Sequence, residues 1–192
     1  MNNELLPLEA FIRSFGLSQQ TYADLSKDTS GTPLVSCATQ EAFCYDDLIQ
    51  KIFASAPHSM DAILLKDDLY FIEFKRIAHT SARKDQEILR QSLELKLTDS
   101  MIVFYKQMVE VLHLNLSKFK RIAIIVVDYV TSPVMATAGV LSSLSGGTSR
   151  MNLTTGNFIY YYQADRHGKR IFYDDIQIWN NINFSVNILG IH

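Results

Sequence analysis

Apolar positions recur along this chain with two periods, and the change from one to the other organises the whole reading. Leu5, Leu8, Phe11, Ile12 and Phe15 share one helical stripe, so residues 4–15 are predicted as a short helix closed by Gly16. Ser18 is placed to cap a second short helix ending near Leu25, and the turn-rich stretch over 26–33 follows as a surface loop. Ala42, Tyr45, Ile49, Ile52 and Phe53 then return to helical spacing. They predict a helix from Thr39 to Ala54, with Thr39 as its N-cap and Pro57 beyond its end.

After Pro57 the period shortens. Residues 61–66 and 69–75 read as two strands around Asp67-Asp68, and both faces of that hairpin are apolar. Ile63, Leu65, Leu69 and Phe71 line one face, and Ala62, Leu64, Tyr70, Ile72 and Phe74 line the other. Such a hairpin belongs between two covering layers. Residues 83–114 return to helix, as one piece or as two hinged near Thr98–Ser100, with Ile88, Leu89, Leu93, Met101, Ile102, Met108, Val109 and Leu112 as the buried stripe. Phe119 to Val127 is a near-continuous apolar run, predicted as a central strand. A short helix and loop over 131–150 precede a second hairpin over 158–163 and 170–178. The expected fold class is α/β, a mixed central β-sheet flanked by helices. Residues 1–36 are expected as an N-terminal helical extension, and 37–192 as a single α/β domain with a C-terminal hairpin.

Composition narrows the class without choosing a function. The 192 residues are 47% hydrophobic and 20% charged, which suits a packed globular chain. A net charge of −2 means that any contact with a polyanion must come from local clustering. The two cysteines, Cys37 and Cys44, make neither a disulfide framework nor a four-ligand zinc site, and fit reduced thiols in the cytoplasm. No apolar run reaches the ~18 residues of a membrane span, and the first residues lack an export-signal profile. The expectation is a soluble cytoplasmic protein with no membrane partner.

Against that apolar hairpin, its charges are conspicuous. Glu73 and Lys75 share a face because side chains alternate along a strand. A three-residue turn over Lys66-Asp67-Asp68 would pair Leu65 with Leu69 and set Asp61 opposite Glu73, with Cβ atoms ~5 Å apart. A two-residue turn would instead set Asp61 opposite Phe74 and break the cluster. Both registers are open to the sequence. If the carboxylates meet, they repel, and a hard divalent cation such as Mg²⁺ or Mn²⁺ relieves the conflict. Such an ion can polarise a phosphate and activate water, while a lysine ammonium neutralises developing charge.

Asp61 followed by Glu73-Phe-Lys75 on adjoining hydrophobic strands, between an upstream and a long downstream helix, resembles the PD-(D/E)XK nuclease superfamily. The order of elements over residues 39–127 is similar to that restriction-endonuclease-like core. The resemblance implies Mg²⁺-dependent hydrolysis of DNA, or of RNA, by metal-activated water. It assigns Asp61 and Glu73 to the metal and Lys75 to the attacking water. It also implies an acid on the first helix, for which Glu41 and Asp46 are the candidates, and a homodimer suited to cutting two strands. Met60 stands where the family's proline often sits. Glu94-Leu-Lys96 carries the same Glu-x-Lys string inside a helical stretch, so strand context selects Glu73.

Arg76, Arg83, Lys84, Arg90 and Lys96 after the first hairpin, and Arg166, Lys169 and Arg170 at the tip of the second, are the candidate nucleic-acid contacts. Asp85 and Glu87 interleave with the first group, which is also the pattern of a solvated helix face. Two other readings compete with the nuclease. Residues 8–25, with Gly16 as the turn before Leu17–Leu25, faintly resemble a helix-turn-helix, which would make the chain a DNA-binding module. A nuclease-like scaffold without catalysis would bind a protein partner.

Overall fold

The computed structural model describes residues 2–36, 40–77, 83–129 and 172–188. One six-stranded sheet runs through them with its strands in sequence order. The strands are β1 (Gln19–Thr21), β2 (Glu41–Cys44), β3 (Ala62–Leu65), β4 (Leu69–Ile77), β5 (Arg121–Tyr129) and β6 (Asp175–Asn180). The first four are antiparallel, and β4, β5 and β6 run parallel. The helices α1 (Leu6–Ser14), α2 (Tyr22–Leu25), α3 (Tyr45–Ile52), α4 (Arg83–Phe104), α5 (Glu110–Leu112) and α6 (Asn181–Asn187) flank it. This is the mixed α/β architecture that the alternating periods predict.

Two cores cover the sheet, as the doubly apolar hairpin requires. On one face Ile63, Leu65, Leu69 and Phe71 pack with Leu8 and Ile12 of α1, Leu48 and Ile49 of α3, and Leu93, Leu97 and Met101 of α4. On the other, Ala62, Leu64, Ile72 and Phe74 pack with Tyr22 of α2 and with Phe184 and Ile188. The N-terminal residues expected as a helical extension thus supply an edge strand and part of a core. Pro7 opens α1, where no intrahelical N–H is needed. Gly16, at a φ of 73°, lets the chain turn after it.

Several expected elements take a different form. Residues 41–44 are a strand, not the start of a helix, because Ala42 and Phe43 are buried in opposite cores while their backbone pairs with both β1 and β3. Helix α3 begins after them, with the Cys44 sulfur accepting the Asp47 N–H as its cap. Thr39, the expected cap, lies outside the described residues. Likewise, Gln19–Thr21 forms β1, and Thr21 rather than Ser18 caps the short α2. A strand therefore stands where a recognition helix would begin, which removes the helix-turn-helix.

Helix α4 runs unbroken for 22 residues. Its irregularity is a π turn at Tyr105–Val109, not a hinge near Thr98–Ser100. Ile88 and Ile102, expected in the buried stripe, are exposed. Residues 175–178 of the expected second hairpin lie in β6, paired in parallel with β5. Its other strand, its basic tip with Arg166, Lys169 and Arg170, and the segment 131–150 fall outside the described residues. Among the described residues no helix is long and apolar enough to cross a membrane.

Candidate functional site

The turn between β3 and β4 decides whether a site exists. Leu65 pairs with Leu69 and Ala62 with Ile72, so the chain adopts the three-residue turn over Lys66-Asp67-Asp68. The Lys66 N–H donates to the Asp68 carbonyl at 3.1 Å, and the Asp68 carboxylate accepts the Lys120 N–H at 2.8 Å. This register carries Asp61 to the side of Glu73, one step beyond the last paired residues. There Asp61 takes the place of a ladder partner. Its Oδ2 accepts the Phe74 N–H at 2.7 Å, and its carbonyl accepts the Tyr45 N–H at 3.0 Å.

The ammonium that joins the two acids comes from the helix. Lys96 Nζ donates to Asp61 Oδ1 at 3.0 Å and to Glu73 Oε2 at 2.8 Å. The side chain of Glu73 is only 1% exposed, against 21% for Asp61 and 20% for Lys96. Lys96 belongs to the Glu-x-Lys string that its helical setting counts against. A signal for it is nonetheless present: it lies among Leu93, Leu97 and Met101 on the buried side of α4, where an unpaired lysine does not belong. Lys75 shares the sheet face of Glu73 and is half-buried. It acts on Glu73 through its charge, and no hydrogen bond to Lys75 occurs among the described residues.

Ser100, one helical turn after Lys96, anchors this side of α4. Its hydroxyl oxygen accepts the Met60 N–H at 2.8 Å, and its carbonyl accepts the Tyr45 hydroxyl at 2.9 Å. Ser100→Ala leaves the buried Met60 N–H without its acceptor, and the expected loss is about 1–3 kcal/mol of unfolding free energy in a urea titration. A loss indistinguishable from zero would show that this anchor does not position Asp61.

Electrostatics follow burial. Desolvation, reinforced by Asp61, pushes the Glu73 carboxyl up to about 8 despite the relief from Lys96 and Lys75. Burial opposes the Lys96 ammonium, but Glu73 and Asp61 outweigh it and raise its pKa. Asp46, on the first turn of α3, accepts a hydrogen bond from the Ser59 hydroxyl, and its carboxyl is also raised, first by burial and then by Asp61. Asp46 is therefore the upstream acid that feels the site. Glu41 is not: it is exposed and pairs with Thr21 at the end of β2 far from Asp61. Burial pushes the Cys44 thiol up to about 12, which leaves it a poor nucleophile near neutrality.

Asp61, Asp46, Asp47, Asp24 and Asp28 border a cleft of about 360 Å³ beside the projecting end of β4. Two cations that also line it are already engaged, Lys27 with Asp24 and Arg76 with Asp28. Arg76 alternates to the sheet face opposite Glu73 and Lys75. The side chains of Arg83, Lys84 and Arg90 are outside the described residues.

Hard oxygen donors suit Mg²⁺ or Mn²⁺, and Mg²⁺ commonly rests on one or two carboxylates with water completing its shell. Asp61 and Glu73 meet that chemistry as a pair. Among the described residues no group of three or more His, Cys, Asp or Glu side chains is placed to hold a metal ion. Comparisons with protein-family models, curated proteins and solved structures find no match for this chain.

Proposed function

We propose that this protein is a Mg²⁺- or Mn²⁺-dependent nuclease of the PD-(D/E)XK type that hydrolyses phosphodiester bonds in DNA. The observation that carries the reading is the convergence of Asp61, just before β3, and Glu73, at the middle of β4, on one ammonium. Carboxylates repel, so a chain that brings two together with a single lysine has built a position for a cation. The sequence of α3, the β3–β4 hairpin, α4 and β5 supports a restriction-endonuclease-like core.

In this reading Asp61 and Glu73 would hold the ion, which would polarise a scissile phosphate and activate a water. Lys75, on the same face, orients that water and neutralises charge developing on the phosphate. Asp46 adds negative potential that favours a cation. Phe74 stays fixed through its N–H bond to Asp61, which keeps Glu73 and Lys75 in phase. DNA is the substrate class, with RNA the alternative, and two copies would serve two strands.

A second reading has its own support. Lys96 already satisfies both carboxylates, and a half-buried acid–lysine–acid triad can hold a fold together without chemistry. Purified protein incubated with plasmid, linear and single-stranded DNA, with and without Mg²⁺ or Mn²⁺, separates the two. Divalent-dependent cleavage that falls at least about 100-fold in Lys75→Ala is expected of the nuclease. Intact DNA under every condition would leave the triad as a structural device.

A further inference from the structure

Lys96 bears on how the site would be loaded. We propose that Lys96 is a built-in counter-cation that occupies the ion position of Asp61 and Glu73, and that a divalent ion binds by displacing it. The proposal rests on the metal reading above, and concerns how that site is kept closed until the ion arrives.

A single ammonium nitrogen touches Asp61 Oδ1 and Glu73 Oε2 at 3.0 and 2.8 Å, so it stands where an ion bridging those oxygens would stand. Two cations on one pair of oxygens repel strongly in a partly dry setting. The ammonium and the divalent ion therefore exclude each other. Without the ion, Lys96 balances the charge of Asp61 and hydrogen-bonds the almost wholly buried Glu73. With the ion, that duty passes to a stronger charge.

Lys96 also has room to leave. Its side chain is 20% exposed, so its flexible stem can swing its head toward solvent. The helix need not move with it, because Ser100 is tied to Tyr45 and Met60. Exchange is then a rotamer change on a fixed backbone, which proteins accomplish quickly. A purely structural ion triad would have no reason to yield to a divalent ion.

Calorimetric titration of Mn²⁺ into wild type, Lys96→Met and Lys96→Arg, paired with melting curves with and without the ion, tests this. Lys96→Met is expected to bind Mn²⁺ at least about tenfold more tightly than wild type, because no ammonium competes. It should melt lower than wild type without ion and gain more on adding it. Lys96→Arg, whose fork grips both carboxylates, is expected to bind Mn²⁺ more weakly than wild type. It carries the test alone if the Met variant does not fold without ion. Wild-type binding that neither substitution changes would overturn displacement and leave the metal reading standing. No binding in any of the three proteins would overturn both. Binding by Lys96→Met alone would also overturn displacement, because the ammonium would then hold the position against the ion.

Discussion

In divalent-free buffer near about pH 9, Glu73→Gln is expected to be more stable than wild type by about 2 kcal/mol, and near about pH 5 the two should agree within about 1 kcal/mol. The cause is the buried carboxyl of Glu73, whose pKa rises from 4.5 to about 8 because of burial and then Asp61. The folded chain holds a proton that the unfolded chain has lost between those values, so stability falls as pH rises through that window. Below 4.5 both states are protonated and the loss is absent; above about 8 it is complete. At 1.36 kcal/mol per pKa unit the ceiling is roughly 5 kcal/mol. Glutamine removes the titration but gives up the carboxylate's pull on Lys96, which lowers the net gain. For a chain of this size the gain is about 4–8 °C in melting temperature. Parallel pH profiles for the two proteins would mean that Glu73 is not a buried acid beside Asp61.

Phe71→Ala is expected to destabilise the protein by about 3–5 kcal/mol in a urea titration, while Phe71→Leu stays within about 1.5 kcal/mol. Phe71 is fully buried, and its ring meets Tyr45 of α3 at 5.4 Å, Phe104 of α4 at 5.5 Å and Tyr173 at 5.8 Å, all edge-on. It lies two residues before Glu73 on the same face, so the contacts that seat α4 over β4 also set the height of Lys96. Removing the ring opens a cavity where the two elements meet. A loss below about 1 kcal/mol would show that α4 does not rest on β4 here, and the reach of Lys96 to the acids would lose its support.

The β3–β4 hairpin is legible in the chain, because a short segment apolar on both faces must be covered on both sides, and a buried strand pair meets that need. The parity of its register is not legible, since Lys66-Asp67-Asp68 accommodates a turn of either length. Tertiary bonds from Lys120 to Asp68 and Leu69 accompany the longer turn. Strand β2 is hidden in a different way. Ala42, Tyr45 and Ile49 mimic helical spacing, and only the neighbouring β1 and β3 make residues 41–44 extended. That mimicry places Glu41 on a helix with Asp46, although only Asp46 stands near Asp61. Lys96 is the instructive case, offered by the sequence as a phosphate contact and found bonded to the two acids. Its string is local sequence, whereas its partners lie just before β3 and on β4, which the helix meets only in the folded chain.

Whether Asp61 and Glu73 form one position for a divalent cation is decided by titrating Mn²⁺ into the wild type and into an Asp61→Asn, Glu73→Gln double variant. The wild type is expected to bind one ion per chain, and the variant to bind at least about 100-fold more weakly. Equal heats from both proteins, or none from either, would contradict a shared ion position.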